Sequence, residues 1–178
     1  MSPEQEFASP RVFVSRSAGL TPAQEELERT WLAGLSALGF SSFVLQRPAY
    51  APVPWAQLRS AVTGMDGALV LGFRHLNVER GEYRPETPEA RPADGWFATP
   101  WSHIEAGMAV AAGLPLLVVP DQDVGEGIFE GDTWGDGVYG APMDAWASAG
   151  PGAPAAVQPW ASRVREDARA NLARRHPS

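Results

Sequence analysis

Glu105 is the residue around which a chemical reading of this chain can be built. It lies in the run Thr99 to Pro120, where, with histidine counted neutral, it carries the only formal charge. Thr99 suits the N-cap of a helix and Pro100 its first position, where the missing proline N–H is not needed. Gly113 suits the position just past the helix end, and Leu116-Leu117-Val118-Val119 reads as a core strand. Small residues at 106, 107, 109, 111 and 112 are expected to let the helix lie close against a sheet. Glu105 then sits either at a solvent-exposed edge or in a partly dry cleft. In a cleft its carboxylate is a candidate nucleophile or base.

Other chemistries lack their residues. There is no cysteine, which excludes disulfides, thiol catalysis and sulfur-bound metal. Every basic residue is arginine, so neither a Schiff-base lysine nor the lysine of a phosphate-binding P-loop is available. His75, His103 and His176 are too widely spaced for a zinc motif. The acidic run from Asp121 to Gly137 lacks the regular oxygen spacing of an EF-hand, so no metal and no cofactor is expected. Neither Gly-x-Gly-x-x-Gly nor Gly-x-Ser-x-Gly occurs. A net charge of −7 argues against nucleic acid as a partner. With no apolar run of about 18 residues and an acidic N-terminus, a soluble cytoplasmic protein with no membrane association is expected.

The elements that must position Glu105 follow from periodicity and punctuation. The 178 residues, 44% of them hydrophobic, suffice for a single α/β domain spanning 1–178. Arg11 to Ser15 reads as a buried strand, followed by the loop Ser15 to Gly19. Thr21-Pro22-Ala23-Gln24 is a capping box that opens a helix bearing Leu27, Trp31, Leu35 and Leu38 on one face, with Gly39 ending it. Phe43 to Leu45 is a second strand, and a proline-rich link runs from Pro48 to Pro54. A helix from about Trp55 to Met65 precedes a third strand, Ala68 to Phe73. A polar insertion loop at 74–98 is then expected either to cover the cleft as a lid or to hang loose. Val138-Tyr139 suits a short edge strand, Ala147 to Pro154 a flexible link, and about 158–174 a closing helix with arginines toward its C-terminal end. The alternation predicts a three-layer fold around a mainly parallel sheet of four to five strands, in the flavodoxin-like order 2-1-3-4-5. In that order Ser15–Gly19, Arg74 and the start of the Glu105 helix meet at one crevice.

Two resemblances attach to these residues. Trp101-Ser102-x-x-Glu105 resembles the signature that opens the catalytic helix of Toll/interleukin-receptor (TIR) domains. Glu105-Ala106-Gly107-x-Ala109, leading to Gly113 and Pro115, is similar to the Glu-x-Gly-x-Ala segment of nucleoside 2-deoxyribosyltransferases and deoxynucleotide N-hydrolases. The first strand with its loop, Val12 to Gly19, and Asp66 also resemble these families. The likeness covers about residues 11–120 in element order and is motif-like at 99–119. It implies a flavodoxin-like sheet and cleavage of an N-glycosidic bond by one glutamate.

The chemistry so implied passes through an oxocarbenium-like state that a carboxylate beneath C1′ stabilises or attacks. Glu105 is then the nucleophile. Ser15, Arg16 and Ser17 are candidates for holding a phosphate, with Thr99 and the helix N-terminal amides near Ser102 assisting and Arg74 as a second cation. Trp101 or Trp96 is the candidate for stacking the base. The substrate is expected to be a nucleoside or nucleotide, with NAD as the TIR-type alternative. A non-catalytic nucleotide-sensing or self-assembling module is the reading from another class. The predicted edge strand and the tryptophan content fit a homodimer.

Overall fold

The computed structural model describes residues 9–45, 55–147 and 152–175. The link from Pro48 to Pro54, most of the N-terminal lead-in and residues 148–151 of the later link lie outside the described residues.

Five parallel strands form the central sheet. In chain order the elements are β1 (Arg11–Ser15), α1 (Pro22–Ala37), β2 (Ser41–Val44), α2 (Trp55–Thr63), β3 (Gly67–Gly72), β4 (Leu76–Tyr83), β5 (Arg91–Phe97), α3 (Pro100–Ala111), β6 (Leu116–Pro120), β7 (Val138–Gly140) and α4 (Gln158–Arg175). The sheet order is β2-β1-β3-β6-β7, the flavodoxin-like order expected from the alternation. Phe13 stands opposite Ala68 and Ala68 opposite Leu116, so the central strand, β3, has neighbours on both sides. The second strand begins two residues earlier than its apolar run suggests, because Ser41 pairs with Arg11 at the sheet edge.

Alternation along the strands divides the core into two layers. Val12, Val14, Leu69 and Leu71 face α1 and α4, where Trp31, Leu35, Trp160 and Val164 are buried. Phe13, Ala68 and Val70 face α2 and α3, meeting Leu58, Val62, Ala106 and Ala109. Of the seven tryptophans, Trp31 and Trp160 are fully buried. Trp31 Nε1–H donates to the Met143 carbonyl at 2.9 Å and Trp160 Nε1–H to the Pro115 carbonyl at 3.0 Å, so each indole is buried with its donor satisfied. The capping box of α1 forms as spaced: Thr21 Oγ1 accepts from the Gln24 N–H, and the Gln24 side chain accepts from the Thr21 N–H.

The segment 74–98 is not a loop but an antiparallel hairpin of β4 and β5, with a register shift between Val78 and Gly81. Its side chains are mostly exposed, so main-chain pairing rather than an apolar face defines it, and hydrophobic periodicity could not reveal it. The hairpin rests on the acidic segment that follows β6. Trp96 forms a parallel bridge with Val124, and the Tyr83 hydroxyl reaches Glu126. Burial first, and then the hydrogen bond to Glu126, raises the Tyr83 pKa above the usual tyrosine value.

Candidate active site

Helix α3 places a carboxylate where the sheet would ordinarily receive an apolar side chain. Its buried residues are Ser102, Glu105, Ala106 and Ala109, the i, i+3, i+4, i+7 stripe of a helix lying on a sheet. The helix packs on β3, β1 and β6. Of the five small residues expected to permit close approach, Ala106 and Ala109 do so, while Gly107, Ala111 and Ala112 face outward. Thr99 Oγ1 accepts from the Trp101 N–H at 3.4 Å, fixing the first turn. At the other end Gly113 adopts φ +72° and the Leu114 N–H donates to the Ala109 carbonyl at 3.0 Å, so the helix stops as its glycine predicts.

Glu105 is 4% exposed and lines a cavity of about 310 Å³ at the crevice where β1 and β3 part. Val14 comes from β1 and Arg16, Ser17 and Ala18 from the loop after it, and Val44 and Leu45 from the end of β2 and the residue after it. His75 comes from the segment after β3, and Thr99, Trp101 and Glu105 from the start of α3. The volume falls at the small end of ligand pockets. The Trp101 ring lies 5.6 Å from that of Trp55 at the start of α2, so two indoles stand at one side of the opening.

The first loop is held by its own charges. Arg16 Nε lies 2.8 Å from Glu28 Oε1 of α1, and Arg16 Nη1 donates to the Ser17 carbonyl at 2.9 Å. The guanidinium is thereby oriented before any ligand arrives. The hydroxyls of Ser15, Ser17 and Ser102 are buried and make no hydrogen bond among the described residues. Such hydroxyls are costly unless something completes them, and these three cluster at the carboxyl end of β1 and the first turn of α3.

Two residues expected at the cleft are placed elsewhere. Arg74 turns toward β6: its N–H and its Nε–H both donate to Asp121 Oδ2 at 3.3 Å. Trp96 is half-buried beneath that arginine, whose Cζ is 5.4 Å from the ring centroid, and it packs on the acidic segment. Neither side chain lines the Glu105 cavity, and no residue of β4 or β5 does. The hairpin therefore flanks the cleft rather than covering it. Ser15 and Ser102 are buried close by, behind the cavity lining. His103 packs edge-on against Phe129, with ring centroids 5.2 Å apart.

His75 is the site residue that the sequence did not disclose. It follows Arg74 directly, in the short connection between β3 and β4. With Arg74 drawn to Asp121, His75 is left facing the cavity. The available signal was the crevice itself, since anything just beyond β3 had to end near it.

Fold and cavity together define an α/β protein of flavodoxin-like strand order with a ligand-sized crevice at its topological switch point. No family model matches the chain, and no curated protein matches it. Among solved structures it is similar to a CMP N-glycosidase, BcmB, of Clostridium botulinum, at 16% identity and a TM-score of 0.47, covering 77% of this chain and 92% of that one. It is also similar to a 2-deoxyribosyltransferase from the psychrotolerant bacterium Bacillus psychrosaccharolyticus, at 9% identity and a TM-score of 0.45, covering 77% and 88%. At such values the likeness carries no weight for activity, and the functional reading stands on the cavity.

Proposed function

We propose that the chain is an N-glycosidase that cleaves the ribosyl–base bond of a nucleoside or nucleotide, with Glu105 as the carboxylate that meets C1′. The observation that carries this reading is the position of Glu105: an acid in the sheet-facing stripe of a helix, nearly shut off from solvent, yet lining a cavity. Cleavage of the C1′–N bond builds positive charge on the sugar, and a carboxylate in a site of low dielectric stabilises that charge or captures it as an ester. Water then releases the sugar.

The remaining lining suits such a substrate. Arg16, braced by Glu28, supplies a pre-oriented cation for a 5′-phosphate. The buried Ser17 hydroxyl and the first amides of α3 supply donors around it, with the hydroxyls of Ser15 and Ser102 behind the lining. Trp101 provides a face for the base, backed by Trp55. NAD, which contains the same type of bond, is the alternative substrate, and a nucleotide-sensing module without turnover is the alternative class.

A panel of nucleosides, nucleoside monophosphates and NAD, assayed for free base by chromatography, tests the reading. Turnover that falls by about 10³-fold or more in Glu105→Gln is expected for a nucleophile essential to the step. Saturable binding of a nucleotide with no free base from the wild-type protein removes the enzyme reading in favour of the sensor.

A further inference from the structure

We propose that His75 is the proton donor to the departing base; this rests on the N-glycosidase reading above. A neutral pyrimidine or purine is a poor leaving group as an anion, so rupture of its bond to C1′ requires a proton on the base as the bond's electrons arrive. Among the described residues that line the cavity, the candidates for giving it are few. Glu105 is engaged at C1′ as the carboxylate. The Arg16 guanidinium does not deprotonate in proteins, and the hydroxyls of Ser17 and Thr99 and the Trp101 N–H are far too weak as acids. The imidazole of His75 remains, and imidazole is the side chain that exchanges a proton near neutral pH.

The fold also fixes the main chain at His75, whose exposed side chain lines the cavity. Phe73 is fully buried and anchors the end of β3. Arg74 is clamped on both sides, its N–H and Nε–H to Asp121 and its carbonyl accepting from Gln24 Nε2 of α1 at 3.1 Å. The His75 N–H then donates to the Phe97 carbonyl at 2.9 Å, at the foot of the hairpin. From Phe97 the chain runs through Ala98 and Thr99 directly into α3. One main-chain hydrogen bond thus ties the segment that carries His75 to the segment that carries Trp101 and Glu105. In this reading the hairpin serves to fix the main-chain segment of His75 against the one that leads into α3.

The steps balance without a further reagent. The C1′–N bond breaks and its electron pair passes to the base, which takes the proton from the His75 imidazolium. A Glu105 carboxylate oxygen bonds to C1′. Water then attacks C1′, the ester C–O bond returns its pair to Glu105, and the water's proton passes to the neutral imidazole. The net change is nucleotide plus water to free base plus sugar phosphate.

Leaving-group dependence tests the assignment. His75→Gln and the wild-type protein are compared on the neutral-base substrate found in the panel above and on two whose bases are already cationic, 7-methylguanosine 5′-monophosphate and nicotinamide mononucleotide. The cationic bases need no proton. The expected result is a fall in kcat/KM of about 10²-fold or more on the neutral base, against less than about threefold on the cationic ones, whose retained turnover also reports an intact fold. Equal losses on both types overturn the assignment and leave the N-glycosidase reading standing, whereas no turnover by the wild-type protein on any substrate overturns both. Should the wild type refuse the cationic bases, His75→Ala is assayed on the neutral substrate with free imidazole in solution. Recovery of turnover supports the donor role, and no recovery overturns it.

Discussion

Glu105 holds a helix position that packing alone would give to alanine, as Ala106 and Ala109 beside it show. A carboxylate kept at such a position costs desolvation, and costs of that kind concentrate at sites where function repays them. Arg16 shows the complementary arrangement: its partner Glu28 fixes it but leaves part of the guanidinium for a ligand. If that cation receives a 5′-phosphate, Arg16→Gln raises KM for a nucleoside monophosphate by about 10- to 100-fold, the worth of one charge-assisted hydrogen bond. KM for the matching nucleoside moves far less. Steady-state kinetics on the pair checks this, and an equal change on both overturns the phosphate role. Position 105 was legible because a lone charge in an apolar helix stands out. Position 75 was not, because a histidine beside an arginine carries no periodic signal of where either side chain goes.

The elements differ in how much of themselves the sequence reveals. α1 and α3 are bounded by side-chain caps and glycine stops, which act within one turn and can be read locally. The β4–β5 hairpin has no such marks. It is held by its own ladder, by Trp96 against Val124 and by Arg91 over the Tyr83 ring at 4.2 Å. Because the Tyr83 pKa is raised in the folded protein, its contribution is complete below the ordinary tyrosine value of about 10 and is lost as pH rises through the folded value. Ultraviolet titration of the phenolate is expected to show a tyrosine that ionises above that value and is missing in Tyr83→Phe. A titration unchanged by the substitution would contradict this docking of the hairpin.

Across the whole molecule, the cleft lies at the carboxyl ends of the strands while a separate tie closes the opposite end. Asp66 Oδ2 accepts from the Arg11 N–H at 2.9 Å, and Oδ1 from Asn171 Nδ2 at 3.2 Å, joining the start of β1 to α4. Asp66→Ala is therefore expected to lower stability by about 1 kcal/mol in denaturant unfolding. Because the site is at the other end of the sheet, kcat is expected to stay unchanged; a marked fall in kcat would show that the two ends are coupled. No described helix is long and apolar enough to cross a membrane.

The sequence by itself determined the alternation of strand and helix, the strand order it implies and the crevice to which the loop after β1, the end of β3 and the start of α3 must converge. Those features rest on periodicity, capping and chain connectivity, which act over short stretches of chain. Tertiary structure decided that Glu105 is enclosed, that 74–98 pairs with itself, and that His75 rather than Arg74 enters the cavity. The last choice turns on Asp121, 47 residues further along the chain and brought beside Arg74 by the parallel pairing of β3 with β6. Where a side chain goes at the end of a strand depends on the charge of its neighbour in space, and that neighbour is known only once the sheet is assembled.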